Sequence, residues 1–523
     1  MNTFWRRMLL GLAGFGLVVA VFYAEEDWRG WHAWHKFKQE WEAKGERFDF
    51  ASAVPRTVPD DQNFALSPVW IAELQHVWQN NPKQAKTWYG DRVDGAEVSQ
   101  FASLVPVGVQ GWDGASQGAN QSPKLPDMTA GRWATGRFTD LNLWASYYRD
   151  LAHSTPAAAI PITPRPESAA ADVLLALGKY DPVLDKLRQD AALPDSRFPV
   201  IYNTDTPYDI MLPHLAMVKR YAQMLQLRAV AELQNGQGEK ALADVKLLLR
   251  LTGSVRTEPF LISHLVRIAM INLAIQPVWE GVAEHHWSEA QLTELDSAFA
   301  RLDFLADYKF SLRSELGAQG AIFDFLKRHP AMTLDILDDG NRAKTTVTKR
   351  LLWWLSPRGW YDLNHLSCAR PILALYLPLA DTNSRIVSPT AARKAEAAIH
   401  AEIKHPTRSN LAEGPFVSSL GNLARKFAYG QESVDLTRVA IALERSHLAN
   451  GEYPELLGAL EPRYIDKLPA DVINGQPLLY RRSLEGKFTL YSVGWNETDD
   501  DGRVSSNKEG VVDNTKGDWV WKN

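Results

Sequence analysis

The sequence predicts a mainly α-helical protein with an N-terminal transmembrane helix, an α-helical extracytoplasmic domain and a small C-terminal α+β module with a short antiparallel sheet. Three observations support this fold class. An uncharged apolar run lies near the N-terminus, apolar residues recur at helical spacing between about residues 140 and 405, and short strand-like runs follow a last helix near residue 433. We therefore expect four segments: an anchor at 1–27, a juxtamembrane helix and irregular Pro/Gly-rich region at 28–139, an α-helical domain at 140–430 and the α+β module at 431–523.

The apolar run extends from Met8 to Ala24 and contains no charged residue. As a helix its 17 residues span about 26 Å, which is near the lower limit for a bilayer core. Arg6 and Arg7 precede the run, so the N-terminus is expected in the cytoplasm and the rest of the chain outside it. A removable signal peptide is the alternative. The run is longer than a usual signal core of about 7–15 residues, however, and Phe22-Tyr23-Ala24 is a poor cleavage site.

The bulk composition is that of an ordinary globular protein, with 45% hydrophobic and 23% charged residues. A chain of 523 residues is longer than a single hydrophobic core usually accommodates, which suggests about two to four domains. The net charge of −5 provides no broad basic field, which argues against a nucleic-acid partner. Cys368 is the only cysteine, and this excludes an intramolecular disulfide and a cysteine metal cluster.

Residues 25–48 are predicted to continue the anchor as a helix outside the membrane. Trp31, Trp34, Phe37 and Trp41 follow helical spacing, and Gly45 ends the pattern. Two interpretations remain open. The aromatic face packs on the domain below it, or it forms a stalk with its rings at the level of the lipid headgroups.

The pattern weakens between Phe50 and Thr139, where prolines interrupt the chain and only a short helix near Val69–Gln79 is expected. Gly114-Ala115-Ser116-Gln117-Gly118 matches the nucleophile-elbow spacing of serine hydrolases. That chemistry needs a strand before the serine and a helix after it, whereas Gly, Asn, Gln and Pro surround Ser116. We therefore do not assign it a catalytic role.

The middle of the chain is predicted to be a set of amphipathic helices, one of which Pro277 ends. The stretch AELQNGQGEKALADVKLLLRL resembles a single tetratricopeptide-type hairpin, but no second copy follows at a period of about 34 residues. The predicted helices are Asp140–His153, Glu167–Leu177, Val183–Leu187, Pro213–Leu233, Glu239–Leu251, Pro259–Ile275, Ser288–Leu305 and Phe310–Arg328.

Two histidine-containing pairs are candidate chemical sites. His285 and His286 are adjacent, so on a helix they point about 100° apart and do not readily share one metal ion. His365 and Cys368 are one helical turn apart, but the sequence shows no group that would activate a Cys–His nucleophile. We therefore assign neither pair a metal-binding or catalytic role.

Two short apolar runs interrupted by prolines, Leu351–Leu355 and Pro371–Leu379, are also ambiguous. They either touch the bilayer or pack in the core, and we expect core packing.

The character of the chain changes near Ser433. A helix from there to His447 is followed by the turn Ala449-Asn450-Gly451-Glu452-Tyr453-Pro454 and a short helix near Leu456–Leu460. Leu478–Arg482 and Phe488–Val493 are predicted to be strands, and Trp519-Val520-Trp521 to return as a last strand. An acidic loop at 494–518 separates the last two.

This order resembles the globular head of the major pseudopilin of type II secretion systems, over about Asp435 to Trp521. The stretches LANGEYPELLGAL, KLPADVINGQPLLYRR and FTLYSVGWNETDDDG carry the resemblance. In that family the head helix directly continues the membrane helix, whereas here over 400 residues intervene, so filament assembly is not implied. The layout as a whole is similar to that of bacterial membrane-anchored proteins of unassigned activity.

The resemblance implies a calcium site in the loop after Val493, because such heads hold Ca²⁺ there. Ca²⁺ takes about six to eight oxygen ligands, and an acidic loop without its own core gains order by wrapping one. A solvated acidic loop without metal is the alternative, and no EF-hand pattern is present. The residues expected to contribute ligands are Asn496, Asp499, Asp501 and Asp518.

Together these features predict a single-pass protein of the bacterial inner membrane with most of its chain outside the cytoplasm. The expected function is non-enzymatic binding or scaffolding in the cell envelope, with the membrane and an envelope protein as partners and no nucleic acid. The alternative function is an envelope hydrolase whose catalytic residues are scattered along the chain.

Overall fold

Helices dominate the structure, a computed structural model that describes residues 3–80, 131–156, 159–165, 167–203, 206–333, 353–405, 407–417, 420–483, 485–507 and 511–523. The helices of these residues are α1 Thr3–Glu42, α2 Pro68–Asn80, α3 Leu141–Ser154, α4 Ala169–Leu177, α5 Asp181–Asp190, α6 Pro213–Gln234, α7 Gly238–Ser254, α8 Leu261–Ala283, α9 Glu289–Phe299, α10 Phe304–Arg328, α11 Arg358–Pro371, α12 Pro389–Ile403, α13 Glu413–Val417 and α14 Leu423–Asn450. The predicted mainly α fold class is confirmed.

The strands are short, antiparallel and concentrated near the C-terminus. They are β1 Ala380–Asp381, β2 Ile386–Val387, β3 Leu479–Arg482, β4 Phe488–Ser492, β5 Val504–Ser506, β6 Val512–Gly517 and β7 Trp519–Lys522. The central sheet has the order β3-β4-β7, with Leu490 opposite Trp521 in the register of β4 and β7. A separate hairpin, β5–β6, lies within the segment that the sequence predicted to be an acidic loop.

The first helix, α1, has 40 residues and is therefore about 60 Å long. Its N-terminal half exposes apolar side chains such as Phe15 and Leu17, and it is long and apolar enough to cross a membrane. Helix α8 meets the same length and composition test, but 61% of its apolar window is buried inside the protein. Composition alone therefore does not separate the two helices, whereas burial does.

The second half of α1 packs on α11. Trp360 donates its indole N–H to a carboxylate oxygen of the buried Glu26 at 2.7 Å, and the backbone N–H of Gly359 donates to Asp27 at 2.9 Å. Farther along, Trp34 is buried and stacks on His365 with 3.7 Å between ring centroids. The helical segment after the apolar run thus packs on the domain, which was the first of the two open interpretations.

The two proline-interrupted apolar runs differ in exposure. Ile372, Leu373 and Leu379 in the second run are buried, as expected. The expectation of core packing was wrong for Trp354 and Leu355 of the first run, which are exposed. The carbonyl of Leu355 accepts a hydrogen bond from the Tyr23 hydroxyl of α1.

The prediction that Pro277 ends the central helix was wrong, because α8 continues to Ala283 with the proline inside it. Pro277 lacks an N–H, but the following turn buries Val278, Trp279 and Val282. Trp279 also donates its indole N–H to the carbonyl of Lys522 at 2.8 Å. These tertiary contacts offset the missing intrahelical hydrogen bond.

Helix α14 joins the helical middle to the strands. It begins at Leu423, ten residues before the change in sequence character at Ser433, and it runs across residue 430 without a break. Leu436, Val439 and Leu443 of α14 belong to one continuous hydrophobic core that also contains residues of α8 and of the central sheet.

Candidate functional site

The hairpin of α6 and α7 is held by buried charges. Arg228 of α6 donates to Asp244 of α7 at 3.0 Å and to Glu232 at 3.2 Å, and it also pairs with Asp181 of α5. Burial, reinforced by the nearby Asp244 carboxylate, raises the pKa of Glu232 to about 8. This network fixes the relative positions of three helices, so the outer face of α7 is a rigid surface.

A groove lies along that outer face. One part, about 760 Å³, lies between α7, α9 and the turn at 301–302 that follows α9. A second part, about 590 Å³, continues to the segments 52–58 and 194–197 and to the first turns of α10. Arg250, Gly253 and Arg256 line both parts, so the two form one continuous depression. We call it the α7 groove.

Basic residues outnumber acidic ones in the described lining of the α7 groove. The acidic side chains are Asp195, Glu239, Glu294 and Asp307. The basic side chains are Arg56, Arg188, Arg197, Lys246, Arg250, Arg256, Arg267 and Arg301. The chain as a whole carries −5, so this surface has the opposite sign to the rest of the protein.

Two of the arginines form the base of the groove. Arg250 donates to the carbonyl of Leu193 at 2.8 Å and lies over the ring of Phe64, and burial lowers its pKa. Arg267 is 1% exposed, pairs with Asp307 and donates to the carbonyl of Thr252 at 3.0 Å. These side chains are fully engaged and shape the surface.

Two other arginines remain available to a ligand. The side chain of Arg256 is 53% exposed, and its ion-pair contact, with Asp307, is long at 3.6 Å. Arg301 is exposed and has no hydrogen-bond or ion-pair partner within the described part of the chain. Leu249 and Leu302 supply apolar surface beside them. The groove can therefore hold a carboxylate-bearing chain that also carries apolar groups.

The acidic loop near the C-terminus closes around Asp518, which is 1% exposed. Its carboxylate accepts hydrogen bonds from the backbone N–H of Asp500 at 3.1 Å and of Gly502 at 2.7 Å. Asn496 lies in the same cluster, because its side-chain amide donates to Asp500 at 2.7 Å. Burial raises the pKa of Asp518 above its ordinary value.

The other two expected calcium ligands lie differently. Asp499 accepts from the hydroxyl of Tyr491 at 3.2 Å and from the N–H of Asp501 at 2.9 Å, so it joins the edge of the cluster. The side chain of Asp501 is 70% exposed and lies beside Arg481. The structure thus brings Asn496, Asp499 and Asp518 into one loop and leaves Asp501 outside. Calcium binding there stays a prediction.

His285 and His286 have different surroundings in the folded chain, whereas His365 and Cys368 stay together on α11. His285 contacts α14, whereas His286 is exposed. His365 and Cys368 are both buried, and burial lowers the pKa of the His365 imidazole and raises that of the Cys368 thiol. These shifts oppose formation of a thiolate–imidazolium pair. Ser116 lies outside the described residues.

Sequence reasoning missed the α7 groove, because its charges come from distant segments. The one local signal was Lys246 and Arg250, four residues apart and therefore on the same face of a helix. Arg56, Arg256 and Arg301 join them only in the folded chain.

Comparisons of this chain with protein-family models, with curated proteins and with solved structures found no match.

Proposed function

We propose that this protein is a single-pass, membrane-anchored protein of the bacterial inner membrane whose extracytoplasmic helical domain binds an acidic segment of a partner protein in the α7 groove. The observation that carries the proposal is the pair of available arginines, Arg256 and Arg301, on a basic and partly apolar depression. Its role is binding or scaffolding in the envelope, without a reaction of its own.

The anchor half of the proposal rests on α1. Between Met8 and Ala24 it exposes an apolar surface without charged residues, which a bilayer would cover. Arg6 and Arg7 precede that surface and favour a cytoplasmic N-terminus. The same helix continues unbroken into the docked part beyond Glu25, so the tether and the domain form one rigid connection.

The partner half rests on charge and shape. A small anion needs only one or two cations, whereas the α7 groove presents basic groups along two connected parts. The combined volume of these parts is larger than a small-molecule pocket needs. An extended acidic peptide can contact basic groups in both parts, and its apolar side chains can pack beside Leu302. Exposed arginines also accelerate the association with an acidic partner, and added salt weakens this attraction.

The test uses the full-length protein in a non-ionic detergent and a fluorescein-labelled peptide of alternating Glu and Leu, with a Lys/Leu peptide as the comparison. Fluorescence anisotropy should show binding of the acidic peptide only, and binding should weaken as salt rises past about 0.1 M, where the Debye length is about 10 Å. The double variant Arg256→Glu/Arg301→Glu should lower affinity at least about tenfold, because it replaces two attractions by repulsions.

The control is Lys404→Glu/Lys426→Glu, which makes the same change in net charge at exposed positions outside the groove. It should leave the affinity within about twofold of the original, since distant exposed charges are screened. Equal weakening by both double variants, or equal binding of the two peptides, would refute the proposed groove.

A further inference from the structure

A second cluster of side chains lies away from the α7 groove, on α14. Glu444 and His447 are three residues apart, which places them on the same face of the helix. Glu-x-x-His at this spacing is used on helices to present two metal ligands side by side. Glu444 is completely buried, so its carboxylate is held in place by its surroundings.

The third member comes from the end of α8. After Ala283 the chain turns sharply, and His285 adopts a left-handed backbone conformation with φ of 53°. Such a conformation is uncommon for residues other than glycine, and strained residues cluster at functional sites. Here it directs the imidazole onto α14, where Nδ1 of His285 lies 2.7 Å from Oε1 of Glu444.

We propose that His285, Glu444 and His447 form a binding site for a divalent transition-metal ion of the zinc class. Each residue offers one ligand atom, and these atoms lie within 4.8 Å of one another. Two imidazole nitrogens and a carboxylate oxygen are a donor set that suits Zn²⁺ and not Ca²⁺ or Mg²⁺, which prefer oxygen alone.

The present arrangement needs one local movement to bind metal. The rings of His285 and His447 stack with 4.6 Å between centroids and 15° between planes, so they do not point at a common centre. The side chain of His285 is 43% exposed and can rotate out of the stack, whereas Tyr453 stacks on the other face of His447 and holds it. A rotation of His285 about its side-chain bonds therefore completes the site.

A second layer of hydrogen bonds orients the carboxylate. The hydroxyl of Tyr453 donates to Oε2 of Glu444 at 2.8 Å, which leaves Oε1 facing His285. The side-chain amide of Asn523 donates in turn to the Tyr453 hydroxyl at 3.0 Å. Such outer partners keep ligands in place and typically change metal affinity about 10–100-fold when removed. One nitrogen of His447, Nδ1, is buried without a hydrogen-bond partner among the described residues.

The test uses the full-length protein in detergent, purified without a histidine tag, and Zn²⁺ and Co²⁺ chlorides as probes. Calorimetry should show about one Zn²⁺ per chain, and Co²⁺ should give visible absorption bands that Zn²⁺ abolishes. Affinity should fall as the pH is lowered, because protons compete with the metal ion for the imidazole nitrogens.

The variants separate a site from surface binding. His285→Asn removes a ligand but tolerates the left-handed backbone, and His447→Gln removes the other imidazole. Each should weaken Zn²⁺ binding more than about tenfold, and Tyr453→Phe should weaken it about 10–100-fold while leaving all three ligands. His286→Asn, next in sequence and exposed, is the matched control and should have no effect. Unchanged binding in the His285→Asn/His447→Gln double variant, or an equal loss in His286→Asn, would overturn the assignment.

Discussion

The Arg267→Met variant should lose about 3–5 kcal/mol of stability, because it leaves the Asp307 carboxylate buried without its main partner. Arg267 is 1% exposed and is fixed by Asp307, by the carbonyl of Thr252 and by the ring of Phe304. Arg256 is too far from Asp307, at 3.6 Å, to replace it fully. Burial already raises the pKa of Asp307, and the loss of Arg267 would raise it further. Thermal unfolding of the full-length protein, followed by tryptophan fluorescence, measures the effect.

Two further variants identify the cause. Arg267→Met/Asp307→Leu should recover most of the stability, since a buried ion pair replaced by apolar groups of similar size is often neutral. Lys246→Met breaks an exposed pair with Glu294, in which both side chains are 52% exposed, and it should cost at most about 1 kcal/mol. If the single and double changes at Arg267 and Asp307 unfold at the same temperature, the ion pair is not the source of the effect.

The Gly30→Ala variant should detach the second half of α1 from α11. The two helices cross with backbone in contact at Gly30 and Gly359, and a Cβ added to Gly30 would lie 2.1 Å from the Gly359 carbonyl oxygen. Backbone atoms cannot rotate away as a flexible side chain can, so the helices must separate at a cost of about 1–3 kcal/mol or more. Hydrogen exchange of the full-length protein should accelerate about tenfold in residues 358–371.

Gly11→Ala is the matched control, because it lies on the same helix and an added Cβ there meets nothing within 4 Å. In the Gly11→Ala variant, the rate of hydrogen exchange in α11 should equal that of the unmodified protein. Identical protection of α11 in Gly30→Ala and Gly11→Ala would mean that the crossing does not hold α1 on the domain.

The helical part of the fold was largely readable from local signals. Asp140 and Ser288 were assigned as helix starts, and both side chains accept hydrogen bonds from the backbone of the first turn. The hairpin of α6 and α7 follows directly from an amphipathic pattern on either side of Asn235-Gly236. In these segments local propensity and the final structure agree.

The predictions from sequence failed where contacts between distant residues determine the secondary structure. Pro277 is kept inside α8 by the burial of Trp279 against Lys522, which lies 243 residues away in sequence. The β5–β6 hairpin has polar residues such as Ser505 and Ser506 and no alternation that marks a strand. Both are outcomes of tertiary structure that a local pattern does not encode.

The candidate sites show the same limit. Glu444 and His447 were recognisable as a helical pair by their spacing alone. Their partner His285 lies 159 residues from Glu444, in the turn after α8, and only the fold brings it within reach. The arginines of the α7 groove are likewise scattered between Arg56 and Arg301. The sequence alone predicted most helices correctly, but it did not predict which side chains from distant segments come together.

The central claim is that α1 holds the α7 groove outside the cytoplasm, where it can meet an envelope partner. The most direct test places one reactive thiol in the groove, as Arg301→Cys in a Cys368→Ala background, in cells with a permeable outer envelope. Cys368 itself is buried and burial raises the pKa of its thiol, so it should react slowly, and Cys368→Ala removes the remaining background labelling. A membrane-impermeant maleimide should label the groove position in intact cells, and a Thr3→Cys control only after lysis. Labelling of the groove position only after lysis would place the domain in the cytoplasm and contradict the account.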